Sequence, residues 1–214
     1  MFAAHEQEVW IARAEGALGT ISSQRGNPAR AIPLLECAVS RLDERDAHVL
    51  TAGEINLGHA LALVGEHERA RSHYARALAL ARRHDLGYLA FGVRSCLAEL
   101  DLLRGETERA LAAFDALIAE ADRLNLEEER VITRLYAAEC LGRLSRPDEL
   151  LERLKELRPF VTVQTLAGTP AWQELASRLD RGDVEDGLVD HVRACLGALP
   201  GGLGLPARLE RRRA

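Results

Sequence analysis

Aromatic residues are scarce in this chain, with four Phe, two Trp and three Tyr among 214 residues against a hydrophobic share of 47%. Its core must therefore rest on Ala and Leu, a mixture that suits helices packed closely through small side chains. Long apolar runs are missing too. No stretch approaches the roughly 18 to 20 uninterrupted apolar residues that a membrane span needs, and Met1-Phe2-Ala3-Ala4-His5-Glu6 lacks the basic start and apolar run of a signal peptide. The chain is thus expected to be soluble and cytoplasmic, with no membrane partner.

Paired cysteines are absent as well. Cys37, Cys96, Cys140 and Cys195 lie far apart inside apolar helical patterns, which excludes a zinc knuckle or a Cys-x-x-Cys redox motif and points to small core residues. No glycine-rich phosphate loop is present, because Gly201-Gly202-Leu203-Gly204 follows no strand and opens no helix. Positive charge is short: the net charge is −5, and the last fourteen residues carry four arginines against one glutamate, leaving the body at −8. An acidic body argues against nucleic acid as the main partner.

What the chain does have is a phrase repeated three times. Gly26-Asn27-Pro28-Ala29-Arg30-Ala31, Gly65-Glu66-His67-Glu68-Arg69-Ala70 and Gly105-Glu106-Thr107-Glu108-Arg109-Ala110 stand 39 and then 40 residues apart. A fixed period of that size is the signature of stacked helical hairpins. After each glycine the apolar residues recur at three and four: Ala31, Leu34, Leu35, Ala38; then Ala70, Tyr74, Ala77, Leu78; then Ala110, Phe114, Leu117, Ile118. Glycine is placed to end the upstream helix, and Asn27-Pro28 or Thr107 to cap the next one. A fourth unit keeps the spacing, with a first helix near 127–144, a corner at Ser145-Arg146-Pro147-Asp148, and Leu150, Leu151, Leu154 and Leu157 on its second helix.

Past Pro159 the pattern breaks. Thr169-Pro170 opens a segment using Trp172, Leu175 and Leu179, and Asp183 is placed to cap another that uses Leu188, Val189, Val192 and Leu196. A terminal hairpin of atypical sequence is what a solenoid requires over its last apolar face. The expected division is therefore 1–158 as about four hairpins, 159–199 as linker and capping helices, and 200–214 as a flexible basic tail.

The second unit, with Leu57-Gly58, Leu61, Gly65, Ala70, Tyr74 and Ala77, resembles a tetratricopeptide repeat (TPR), and the others match through Leu18-Gly19, Gly26, Ala31, Leu35 and Ala38, and through Leu97-Ala98, Gly105, Ala110 and Phe114. The period is longer than the 34 residues usual in that family. Charged Glu15, Glu54, Arg94 and Arg134 stand where an apolar residue often opens the first helix. Long repeats of this kind resemble those in the sensor regions of bacterial transcriptional activators and signalling proteins. The resemblance implies an all-α, right-handed superhelix of antiparallel helical hairpins, an α-solenoid with a C-terminal capping hairpin.

It also implies that the first helices line a concave groove. Six residues before each corner the series reads Thr20, His59, Glu99, Glu139, and ten before it Gly16, Ile55, Ser95, Leu135. With Asn56, whose amide can bond a peptide backbone, these make the candidate partner-binding set: Thr20, Ile55, Asn56, His59, Ser95, Glu99, Leu135 and Glu139. A basic, partly apolar protein segment would suit it; Glu99 and Glu139 could equally pair with Arg104 or Arg143. His59, His67 and His73 do not fall on one helix face as ligands spaced by three or four would, so no metal is expected. No catalytic constellation and no cofactor motif is found. The expected function is a non-enzymatic scaffold for protein–protein interaction. The alternative is a ligand- or peptide-sensing regulatory module, and homo-oligomerisation through the end hairpins stays open.

Overall fold

Left-handed backbone turns set the architecture of this chain, a computed structural model that describes residues 2–162, 166–181 and 187–199. Gly26, Gly65 and Gly105 adopt φ of +81°, +86° and +80°, a region that only glycine enters without cost. Beyond each glycine the chain closes with a backbone bond to the carbonyl five residues back: Asn27 to Ser22 at 2.9 Å, Glu66 to Leu61 at 3.0 Å, Glu106 to Asp101 at 2.9 Å. Ser145 takes φ +55° and Arg146 bonds Leu141 in the same way. Asp85 and Asn125 repeat the motif at the joints between units, with Leu86 donating to Ala81 and Leu126 to Ala121. One helix-ending device, which satisfies carbonyls the helix leaves unpaired, thus recurs six times.

The side-chain caps expected at these corners are not made. Asn27 precedes its helix at φ −114°, ψ 58°, outside the extended conformation from which a capping side chain reaches the first turn, and it forms no cap bond. Thr107 lies already inside its helix, behind Glu106. Pro28 at the first helical position needs no partner, since it has no N–H to satisfy.

Ten α-helices follow among the described residues: α1 (Phe2–Gln24), α2 (Pro28–Ser40), α3 (Ala47–Leu63), α4 (His67–Arg83), α5 (Gly87–Leu103), α6 (Thr107–Leu124), α7 (Glu127–Arg143), α8 (Pro147–Leu157), α9 (Pro170–Arg181) and α10 (Leu188–Ala198). No strand is found among those residues. Short 3-10 turns stand at Glu44–Asp46 and Arg158–Phe160. The expected cap at Asp183 and the tail from residue 200 lie outside the described residues.

The chain divides into two compact units after Leu100, within α5. In the first, α1 packs on α2, α2 on α3 and α3 on α4. Its core joins small and large residues: Gly19 lies under Leu35, and Gly58 under Tyr74, while Ala31, Ala70 and Ala77 are fully buried. In the second, α6 packs on α7, α7 on α8, and α10 on both α7 and α9. Phe114 and Tyr136 stack there with ring centroids 5.0 Å apart and planes 6° from parallel, one of the favourable aromatic geometries. The fold is an all-helical array of TPR-like hairpins.

Candidate functional site

The four charged residues that depart from the repeat pattern prove to be structural. Glu15 of α1 accepts Nε of Arg41 at 3.0 Å, and Arg41 also reaches Glu8. Glu54 of α3 is buried, yet its Oε2 lies 2.6 Å from His73 Nδ1 and accepts Arg76 at 3.1 Å. Arg134 of α7 donates to Asp122 of α6 at 2.7 Å and stacks over Phe160, its guanidinium carbon 4.4 Å from the ring centroid. Arg94 of α5 bonds the Ala90 carbonyl and lies over Phe91. At Glu15, Glu54 and Arg134 the charge thus joins separate segments of the chain through ion pairs.

In the first unit, Ile55, Asn56, His59 and Ser95 are half-buried on α3 and α5. Thr20 turns inward along its own helix, its hydroxyl donating to the Gly16 carbonyl at 2.9 Å. Glu99 is buried, with 7% exposure. Tyr74 and Cys96 approach each other beneath this region, and both are raised well above their ordinary values, first by burial and then by charge that includes Glu99.

On the second unit the arrangement differs. Leu135 and Glu139 of α7 have no exposed surface. Glu139 Oε1 accepts Arg143 Nη2 at 2.6 Å and Nε at 3.1 Å, and Arg193 Nε of α10 at 3.4 Å. Its other oxygen is buried with no hydrogen-bond donor among the described residues. Helix α10 lies so close to α7 that a methyl group at Gly142 would overlap Val189. Thus the arginine that the acid was expected to receive from a partner comes from the chain itself. The pair with Arg143 was open from the i, i+4 spacing, but that spacing carried no sign of Arg193, which is 54 residues from Glu139.

A donor set that spacing also missed joins His5 of α1 to Asp43 and Asp46 beside the 3-10 turn. Three of their ligating atoms lie within 4.8 Å of one another, and His5 Nε2 is 3.2 Å from Asp46 Oδ2. Arg45 engages both oxygens of Asp43, each 3.0 Å from its Nε, and this bond first of all holds the Asp43 carboxyl down at about 2. Asp43 is thereby already matched with a cation.

The thiols offer no ready nucleophile in the core. Burial pushes Cys140 and Cys195 up to about 12, where almost no thiolate forms near neutrality. Two of the four cysteines depart from the expected core role: Cys96 is half-buried and Cys37 is exposed. Cys37 lies on the outer face of α2, between the buried stripe residues Leu35 and Ala38.

No described helix is long and apolar enough to cross a membrane. No family model matches the sequence, and no curated protein does. Solved structures share the fold. A putative kinesin light chain from Podosopora anserina with nearly identical TPR-like repeats aligns over 86% of this chain and 94% of its own, with 16% identity and a TM-score of 0.62. A form of that protein with one residue substituted covers 94% and 96%, with 15% identity and a TM-score of 0.63. BtubC (BKLC) from P. vanneervenii covers 97% and 90%, with 18% identity and a TM-score of 0.62.

Proposed function

We propose that this chain is a non-enzymatic scaffold that receives a segment of a partner protein on the faces of its first helices. On the first unit the receiving residues are Thr20, Ile55, Asn56, His59, Ser95 and Glu99; on the second, Leu135 and Glu139 have no exposed surface and could meet a partner only once α10 has left α7. The observation that carries this reading is the seating of α10 on α7. An amphipathic helix already lies there with an arginine at Glu139, which is the chemistry a partner helix would bring. Fold likeness to a chain named as a kinesin light chain supports a binding rather than a catalytic role. A fold of this type does not by itself fix the partner.

The test is affinity capture of the full chain from its native cells, followed by measurement of the affinity for the protein recovered at fixed stoichiometry. Ile55→Asp with His59→Glu, both half-buried positions, should cost at least tenfold in affinity at an unchanged melting temperature. Undiminished affinity would remove the groove assignment.

A second reading, a regulatory module that responds to a peptide or ligand, is favoured by the same contact. Because α10 fills the α7 face, a competing helix gains access by displacing it, and its release is the signal. Added partner should then speed amide exchange in 188–198; exchange unchanged by a bound partner would remove this reading.

A further inference from the structure

Among the first helices, α3 packs on α2 before it and α7 on α6. In α3 a stripe includes Gly53, Leu57 and Ala60; the last two are buried, and a methyl at Gly53 would touch Val39 of α2 at 3.0 Å. In α5 the same places are buried at Val93 and Leu100 and half-buried at Leu97, and in α7 they are buried at Thr133, Ala137 and Cys140. Their counterparts in α1, at Ala14, Leu18 and Ile21, are exposed, Leu18 by 56% and Ile21 by 45%. Trp10 stands one stride further along at 67% exposure, with the Arg13 guanidinium carbon 5.4 Å from its ring centroid. Such a run of large apolar side chains on one helix face marks an interaction surface rather than a scatter of surface residues.

The pattern of the stripe identifies its occupant. Exposed residues along the face read Gln7, Trp10, Ala14, Ala17, Ile21 and Gln24, a spacing of three and four that makes a heptad seam. From either end the order is polar, large, small, small, large, polar. A two-fold axis between residues 15 and 16 therefore sets Trp10 against Ile21 of a second copy, Ala14 against Ala17, and Gln7 against Gln24. Self-complementarity about an axis is what an isologous dimer requires. The small pair at the centre lets the helices approach while the large pairs fill the ends.

Charge selects the direction. Glu6 and Arg25 flank the two ends of the seam, and both are exposed. Antiparallel pairing brings Glu6 of one copy to the end that holds Arg25 of the other, whereas parallel pairing would set each beside its like. We propose that α1 is a homodimer interface in which two copies pair antiparallel through Trp10, Ala14, Ala17 and Ile21, with Leu18 at the flank of the seam.

Sedimentation of the full chain at micromolar concentration should give twice its 23.5 kDa mass. Trp10→Asp, at an exposed position, should return it to monomer with unchanged helicity. A wild-type monomer overturns the proposal and leaves the stripe to another helix; a dimer that survives Trp10→Asp overturns it as well. Direction is read separately in a Cys37→Ser background. A mixture of Gln7→Cys and Gln24→Cys chains should form a covalent dimer on mild oxidation, and Gln7→Cys alone should not. Cross-linking by Gln7→Cys alone overturns the antiparallel arrangement. None of these readouts depends on the partner-binding faces, so failure here leaves the scaffold reading standing.

Discussion

Gly58 of α3 lies against the ring of Tyr74 of α4: a methyl placed on it would sit 2.7 Å from Tyr74 Cε1 and 3.2 Å from the Ala70 carbonyl oxygen. Tyr74 is itself fully buried, so neither wall can retreat into solvent. Gly58→Ala should therefore destabilise the first unit by about 1–3 kcal/mol, the usual cost of overfilling a packed core. Gly92 of α5 has open space at the same atom, and Gly92→Ala should be stabilising by up to about 1 kcal/mol through helix propensity. Urea melts of the two variants read opposite signs. A neutral Gly58→Ala would deny that the close approach matters.

Ala70, one turn before Tyr74 on α4, is fully buried at the corner between α3 and α4. Ala70→Asp forces a carboxylate into that packed corner, at a cost of several kcal/mol. That is a large share of the ~5–15 kcal/mol by which domains are stable. The expected result is loss of the cooperative thermal transition, seen by circular dichroism. An unchanged melting temperature would refute the packing of that helix pair.

The Asp122–Arg134 bond predicts a dependence on pH. The hydrogen bond from Arg134 is the main cause that holds the Asp122 carboxyl below its ordinary value, with Arg130 adding to it. A carboxylate depressed in the folded state binds its proton less readily than in the unfolded chain. Its stabilisation is therefore complete above the unfolded value of about 4 and is lost as pH falls through the folded one. Asp122→Asn should melt below the wild type at pH 6, and the gap should narrow steadily from pH 5 to pH 3. Melting curves that stay parallel across that range would show that the pair does not couple to protonation.

Reactivity of the thiols should follow burial. Cys37 is exposed while Cys140 and Cys195 are buried, the latter two with values raised to about 12. Brief treatment with iodoacetamide should alkylate Cys37 alone among these three, and urea should release the other two together with the unfolding transition. Labelling of Cys195 in the native chain at the rate of Cys37 would mean that α10 leaves its seat readily.

The helices could be read from the sequence because their signals are local. A glycine that must adopt positive φ, followed by alanines and aromatics at three and four, fixes a corner and a buried face within some twenty residues. Even Ser145, which lacks the glycine, keeps its place because the surrounding spacing is kept. Asn27 makes no cap despite its residue type, because capping depends on backbone angles, to which composition is blind. The surroundings of Glu139 were harder still. Arg143 stands one turn away and was foreseeable, but Arg193 reaches it only through the path taken after Pro159, where the repeat ends and periodicity says nothing of direction. The exposed stripe of α1 has the same origin: Leu18 matches the repeat pattern as Leu57 does, and only the folded chain shows that no described helix covers it.

The last prediction concerns that seat. Arg193 supplies one of the donors to Glu139 Oε1, and Arg143 supplies the others. Arg193→Ala therefore leaves the acid paired within its own helix while removing a tie between α7 and α10. The packing of Val189 on Gly142 stays in place, so the helix should loosen without the unit unfolding. Amide exchange in 188–198 should quicken at least tenfold, with α3 and α4 unaffected. Glu139→Gln tests the same tie from the other side: it keeps the shape and removes the charge, and should quicken exchange over the same residues. If neither variant changes exchange there, apolar contact alone holds α10, and the charge at Glu139 has no part in keeping the face of α7 closed.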